Sequence, residues 1–234
     1  MIHKVFSLAK SFHILVVDDN SPDGTADIVK GLMAEYPKQL HIHEREGKLG
    51  LGTAYIAGFR WALERDYEFI FEMDADFSHN PDNLIDLYNA CAKDGGDMSV
   101  GSRYVKDGGV SNWPLSRVLL SRFASVYVQI ITWLPVKDTT AGYVCYTRKV
   151  LKAIDLDAIR FIGYAFQIEM KFATWQLGYK IKEVPIVFID REVGSSKMST
   201  KIFREAFYGV IILKLQSFFK SYKKTKALVE KEVE

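Results

Sequence analysis

Asp74 and Asp76 stand one residue apart at the end of Phe69-Ile-Phe-Glu-Met-Asp-Ala-Asp76. The apolar run reads as a buried strand. A strand end carrying two carboxylates can hold a hard divalent cation, Mg²⁺ or Mn²⁺, that bridges protein to diphosphate. That chemistry suits a nucleotide-sugar enzyme; the alternative is a solvated turn, since aspartate is common in turns. Asp18 and Asp19 close a second apolar run, His13-Ile-Leu-Val-Val-Asp18. Arg103 follows a strand and a glycine, where it can reach back over the sheet edge or stand as a surface cation. Arg117 and Ser121 share one face of a helix, one turn apart, suited to phosphate binding, capping or a salt bridge. Arg191 and Lys197 flank Gly194-Ser-Ser196, a basic loop able to close over phosphates or to serve as a polar turn. Lys48 reads as a solvated loop charge. Glu169 is a spare carboxylate suited to capping or orienting a neighbour. His79 is a turn histidine or a third group near a metal.

These residues need elements to position them. Ile2, Val5, Phe6 and Ala9 recur at helical spacing. His13–Asp18 is so continuously apolar that it predicts a strand buried on both faces. Asp19-Asn-Ser-Pro-Asp-Gly24 is turn chemistry, and a helix carrying Ala26, Ile28, Val29 and Leu32 follows. Leu40–His43 reads as a strand, Thr53–Arg65 as a helix opened by Gly50-Leu-Gly52, and Phe69–Asp74 as a strand. A helix is expected over Asn83–Lys93 and a strand over Met98–Gly101. Beyond these, Val118–Val136 reads as an amphipathic helix and Phe166–Gly178 as a helix closed by glycine. Tyr179–Asp190 reads as a strand and Ile202–Ser221 as a long helix. Alternating strands and helices imply an α/β fold with a mainly parallel sheet, whose ligands bind at the carboxyl ends of the strands. Asp18, Asp19, Asp74 and Asp76 all fall at such ends.

Composition narrows the classes. The 234 residues are 48% hydrophobic and 26% charged, enough for an ordinary core. The net charge of +2 gives no electrostatic case for nucleic acid. Cys91 and Cys145 have neither metal-ligand spacing nor a disulfide framework, so a reducing, cytosolic setting is expected. Met1-Ile-His-Lys-Val-Phe-Ser-Leu lacks the apolar core of a signal peptide. Val118–Val136 carries Ser121, Arg122, Ser125 and Gln129, too polar for a membrane span and better suited to an interface.

Several motifs occur in a fixed order: Val16-Val-Asp-Asp-Asn-Ser-Pro-Asp-Gly-Thr25, Gly50-Leu-Gly-Thr-Ala54, Met73-Asp-Ala-Asp76, Gly101-Ser-Arg-Tyr104 and Gly194-Ser-Ser-Lys-Met198. Asn112-Trp-Pro and Asp138-Thr-Thr-Ala-Gly142 lie between them. Together they resemble the polyprenol-phosphate (dolichol-phosphate) mannose synthases, inverting glycosyltransferases of family 2 with the GT-A fold. The likeness covers roughly residues 1–215. It implies transfer of mannose from GDP-mannose to a polyprenyl phosphate. By the same resemblance Asp18 and Asp19 would contact the donor nucleotide, and Asp74 and Asp76 would carry Mg²⁺ or Mn²⁺ on its diphosphate. Arg191 and Lys197 would add donor contacts. Arg103, Arg117 and Ser121 would take the acceptor phosphate, with Asp76, Arg103 and Arg117 at the reaction centre. An ionised phosphate oxygen attacks without a dedicated base.

Residues 1–200 are expected to form the GT-A domain, and 201–234 an amphipathic membrane-interface helix with a charged tail. Phe203–Phe219 is rich in aromatic and branched residues, with Lys214, Lys220, Lys223, Lys224 and Lys226 in and after it. That pattern suits an anionic membrane surface; a helix packed on the domain with a solvated tail is the alternative. Peripheral association on the cytoplasmic face is expected, directly or through a membrane-anchoring partner. Members of the family begin with an apolar strand and a nucleotide-binding turn that are not present here. The sequence therefore predicts a sheet with two edges left unpaired, and a truncated or misassigned start. Competing readings are a UDP-glucose-dependent transferase, an inactive nucleotide- or membrane-binding domain, and a nucleotidyltransferase. The last would need a basic glycine-rich loop where this chain carries Asp18-Asp19.

Overall fold

The computed structural model describes residues 1–163, 165–190, 200–219 and 221–223. The chain opens with a short helix α1 (Ile2–Phe6), then β1 (Ile14–Asp18), α2 (Thr25–Met33), β2 (Leu40–Glu44), α3 (Leu51–Leu63) and β3 (Phe69–Glu72). It continues through α4 (Asn83–Ala92), β4 (Met98–Ser102), β5 (Gly109–Ser111), α5 (Leu115–Thr132), β6 (Val144–Thr147) and α6 (Arg148–Ala153). The last elements are α7 (Ala165–Gln176), β7 (Ile181–Pro185), β8 (Val187–Ile189) and α8 (Thr200–Gln216).

The central sheet has the order β3-β6-β4-β7. β4 and β7 run parallel, while β6 is antiparallel to both its neighbours. Sequence reading did not anticipate β6, and it is what makes the central sheet mixed. The expected strand over Tyr179–Asp190 is broken after Pro185 into β7 and β8, and β8 leaves the sheet to pair in parallel with β5.

β1 and β2 form a separate parallel pair. No ladder joins β1 to β3 among the described residues, so each strand has backbone pairing on one side only. The two sheets are held by side chains instead. Phe12 meets Phe71 edge-on at 5.7 Å, and the Tyr67 hydroxyl lies 2.9 Å from His13 Nδ1.

Helices cover both faces of the central sheet. Because strand side chains alternate, β6 and the residue before it feed two cores. Val144 and Tyr146 join Phe59, Met98, Val100, Phe166, Phe172, Val210 and Leu213. Tyr143 and Cys145 join Val5, Leu84, Leu87 and Ile186. α7 is buried from Ala165 to Thr174, so its polar residues must find partners inside. α8 contributes Val210 and Leu213 to the larger core. Tyr222 is also buried there, and its backbone carbonyl accepts from Asp155 N at 2.9 Å.

The glycines of Gly50-Leu-Gly52 are explained by close approach. A Cβ on Gly52 would lie 2.7 Å from both Phe161 O and Phe166 Cδ2, and one on Gly50 would lie 2.9 Å from Ile162 O. The Gly52 N–H donates to Ile162 O at 2.8 Å. This motif fastens α3 to the loop before α7.

Candidate active site

Asp74 and Asp76 sit in the turn leaving β3. Phe77 adopts φ of +62°, unusual for a bulky side chain and a sign of a constrained turn. The turn is pinned by its own side chains. Asp76 Oδ1 accepts from Ser78 N at 3.0 Å and from the Ser78 hydroxyl. His79 Nδ1 accepts the Asp74 N–H at 3.2 Å, so this ring nitrogen is occupied by backbone. The His79 ring is buried and stacked on Tyr143 at 4.7 Å. Burial lowers its pKa against the pull of Asp74 and Asp76. His79 therefore acts as a neutral support for the turn. Asp74 Oδ1 accepts from the Tyr55 hydroxyl at 3.4 Å. Burial and then the nearby Asp74 carboxylate hold Tyr55 in its protonated, donating form.

The two carboxylates open into a cavity of about 500 Å³ that Arg103, Arg117 and Ser121 also line. Arg103 stands just beyond β4. Its Nε and Nη2 each reach Asp138 at 2.6 Å, Nη2 reaches Thr140 Oγ1 at 2.9 Å, and its backbone N–H meets Asp138 at 2.9 Å. The arginine side chain is 9% exposed and the aspartate 0%. Burial works against the Arg103 charge, but the Asp138 carboxylate outweighs it and raises the pKa. Asp138 is itself held by its N–H to Glu183 at 3.0 Å.

Arg117, in the first turn of α5, is more open. It pairs with Asp190 at 2.7 Å, and its guanidinium lies 3.9 Å from the Trp113 ring centroid. Ser121 accepts from the Tyr104 hydroxyl at 2.7 Å. The cavity thus has an acidic pole on the β3 turn and a basic pole on β4 and α5. One wall is mostly apolar, formed by Leu120, Phe123, Tyr127 and Val128 of α5 with Phe207 and Val210 of α8, while Ser78, His79, Thr140, Gln167 and Asp190 add polar groups to the lining.

That wall continues to the surface. Leu115, Leu119, Phe123, Val126 and Ile130 of α5 are exposed, Phe123 at 61% and Ile130 at 66%. Tyr208, Ile212, Leu215 and Phe218 extend the face along and just past α8. Tyr127 and Phe207 stack at 4.5 Å, and Lys214 lies 3.8 Å over Trp133, tying the two helices together.

Asp18 and Asp19 lie at the end of β1, outside this cavity. Asp18 is buried and accepts from Ser21 N at 3.0 Å, and Asp19 lies 3.1 Å from Arg45 Nε. Arg191 and Lys197 fall outside the described residues. Glu169 accepts the Arg160 and Phe161 N–H groups at 2.8 and 2.9 Å and the Tyr222 hydroxyl at 3.1 Å, the orienting work expected of it. Lys48 is exposed on its loop. Sequence reasoning missed Tyr55, Trp113, Asp138, Gln167 and Asp190. Trp113 and Asp138 lie inside Asn112-Trp-Pro and Asp138-Thr-Thr-Ala-Gly142, so order along the chain marks their neighbourhood without giving their partners.

Carboxylates alone suit a hard cation. Asp76 Oδ2 has no protein partner among the described residues, and both acids face the cavity. The described residues contain no cluster of three or more acidic, histidine or cysteine ligands. A cation here would draw its remaining ligands from phosphate and water, the usual manner of Mg²⁺. The donor set fits such an ion. Among the described residues, no helix is long and apolar enough to cross a membrane.

The chain matches the family model "Glycosyl transferase family 2" over residues 1–155. It is 44% identical over 210 residues to the polyprenol monophosphomannose synthase of Mycolicibacterium smegmatis, covering 90% of this chain and 79% of that protein. It is 50% identical over 197 residues to the undecaprenyl-phosphate mannosyltransferase of Micrococcus luteus, covering 84% of this chain and 80% of that protein. Among solved structures, glucosyl-3-phosphoglycerate synthase from Mycobacterium tuberculosis, in complex with Mn²⁺, UDP and glucosyl-3-phosphoglycerate, has the same fold. The TM-score is 0.59 at 16% identity, covering 88% of this chain and 68% of that one. The ordered motifs, the mixed α/β fold and these likenesses agree: the chain belongs to glycosyltransferase family 2, with the GT-A fold, and is a glycosyltransferase.

Proposed function

We propose that this glycosyltransferase moves mannose from GDP-mannose to the phosphate of a polyprenol, with inversion at the sugar. The names of the relatives at 44% and 50% identity support the acceptor and the sugar. The observation that carries the reading is the cavity itself. One chamber holds an acidic pole for a metal-bound diphosphate, a basic pole for a second phosphate, and an apolar wall running out to an exposed apolar face.

The chemistry follows from the two poles. Asp74 and Asp76 would hold Mg²⁺ or Mn²⁺, which would offset the charge that grows on the leaving diphosphate. Arg117 and Ser121, with Arg103 behind them, would hold the acceptor phosphate. An oxygen of that phosphate attacks the anomeric carbon as the bond from this carbon to the diphosphate oxygen breaks. GDP leaves with the bonding electrons. The attacking oxygen is already ionised near neutral pH, so no residue has to remove a proton. Asp18 and Asp19 would meet the nucleoside end of the donor, with Arg191 and Lys197 as further donor contacts.

A lipid phosphate must reach the basic pole from a bilayer. The exposed faces of α5 and α8 would lie on the cytoplasmic surface of the membrane, alone or beside an anchoring partner, and pass the phosphate inward along the apolar wall. Incubation with GDP-mannose and polyprenyl phosphate in vesicles tests the reading. A β-linked mannosyl phosphate lipid and free GDP are expected from the α-linked donor. An α-linked product would reject inversion, and a product formed only from UDP-glucose would reject the donor.

A further inference from the structure

Beside the basic pole stands a tyrosine that the reaction as described does not use. Tyr104 follows Arg103 in the turn that leaves β4. Its backbone N–H meets Ser102 Oγ at 3.3 Å, and its ring centroid lies 5.2 Å from the Arg103 guanidinium. The turn is folded tightly back on the strand end. Asp107 adopts φ of +68°, and a Cβ on Gly108 would lie 2.5 Å from Ser102 O. The Gly109 N–H then donates to Ile186 O at 2.9 Å. Tyr104 is thereby carried on a fixed base, and its hydroxyl crosses to α5, where it meets Ser121 Oγ at 2.7 Å.

The two hydroxyls are not equivalent. Ser121 lines the cavity with Arg117, one helical turn away, whereas Tyr104 stands outside the lining. A phenol gives up its proton more readily than an alkyl hydroxyl, so Tyr104 donates and Ser121 accepts. A serine hydroxyl has one proton and two lone pairs, so Ser121 keeps its own proton and cannot aim it at Tyr104. Inside a helix a common outlet is the carbonyl four residues back, the bond that Thr132 makes to Val128 O at 2.6 Å in this same helix. Among the described residues Ser121 makes no such bond to Arg117 and has no hydrogen-bond partner other than Tyr104. Its proton is therefore left for the cavity.

Resting on the acceptor-phosphate reading above, we propose that Tyr104 is a positioning residue: by occupying one lone pair of Ser121 it fixes that hydroxyl as a donor to an oxygen of the acceptor phosphate. An ionised phosphate oxygen only accepts, so a serine that met it lone pair first would repel it, and one that meets it proton first makes a charge-assisted bond. Tyr104 removes the wrong orientation without touching the phosphate itself.

The test is a cycle of Tyr104→Phe, Ser121→Ala and the double variant in the full-length chain, with kcat and both KM values measured for GDP-mannose and polyprenyl phosphate in vesicles. Tyr104→Phe keeps the ring and loses only the hydroxyl. It should raise KM for the lipid phosphate about threefold, with kcat, KM for GDP-mannose and the unfolding temperature close to wild type. Ser121→Ala, which loses the donor itself, should raise the same KM about tenfold. The double variant should match Ser121→Ala, because Tyr104 acts only through Ser121. Equal losses from the two single variants would mean a mere tether between the β4 turn and α5 and overturn the inference. So would losses that multiply in the double variant, or an unchanged KM for the lipid phosphate in Tyr104→Phe. A parallel rise in KM for GDP-mannose, or a Tyr104→Phe chain that does not fold, would make the hydroxyl structural and overturn it as well. If the wild type makes no mannosyl lipid from GDP-mannose, the acceptor reading falls and this inference with it, a result visible in the wild type alone.

Discussion

Arg103 and Arg117 are both arginines paired with aspartate, but their surroundings give them different work. Arg103 and Asp138 are almost wholly buried. Removing one partner strands a buried charge, which costs about 3–5 kcal/mol. Asp138→Asn should therefore lower the unfolding temperature by about 10 °C, measured by calorimetry. Arg117 and Asp190 are about one-third exposed, at 36% and 30%, where solvent screens the pair to below about 1 kcal/mol. Arg117→Ala should leave the unfolding temperature within about 3 °C of wild type. The same variant should raise KM for the lipid phosphate by about tenfold, since a charge-assisted contact to phosphate is lost. Steady-state kinetics at varied acceptor separates the two outcomes. Asp74, Asp76, Arg117 and Ser121 were legible because strand ends and helical spacing are local properties. Asp138 and Asp190 were not, because each meets its arginine across 35 and 73 residues of chain. Pairing at that range leaves no local period to read.

Among the elements, α5 and α8 carry the consequences for the membrane. α5 turns Ser125, Val128 and Thr132 inward and leaves Leu119, Phe123 and Ile130 outside. A large apolar side chain transferred from water to an apolar phase contributes about 1.5–3 kcal/mol. Phe123→Asp and Ile130→Asp should each weaken sedimentation with anionic vesicles by at least about tenfold, with little change in unfolding temperature. Unchanged sedimentation would assign that face to something other than lipid. α3 is fixed more tightly. Gly52→Ala would force its Cβ against Phe161 O and the Phe166 ring, both at 2.7 Å. Overpacking of this kind costs about 1–3 kcal/mol, which urea denaturation would register as a lower midpoint. Periodicity revealed α5, though it begins at Leu115 rather than Val118 and ends at Thr132. β6 escaped notice because four residues make a weak period, and an antiparallel strand between two others lacks the strand–helix–strand spacing that marked its neighbours.

The molecule as a whole has two sheets of unequal security. β4 is buried along its length and paired on both sides, whereas β1 is mostly half-buried and paired only with β2. Amides of β1 and β2 should exchange with solvent sooner than those of β4 and β6, because local openings start where backbone pairing and burial are least. Hydrogen exchange followed by mass spectrometry would show it, and uniform protection would contradict it. The sequence implied the α/β fold and the unpaired edges; it did not imply that Phe12, Phe71, His13 and Tyr67 would bridge them. In the proposed reaction one cavity brings a metal-bound diphosphate to a lipid phosphate. The most direct measurement is transfer of labelled mannose from GDP-mannose into organic-extractable lipid, with Mg²⁺ or Mn²⁺ present or chelated, in the wild type and Asp76→Ala. Label is expected only when the metal and Asp76 are both present, with the variant down by at least about a hundredfold. Undiminished transfer by Asp76→Ala, or without metal, would contradict it.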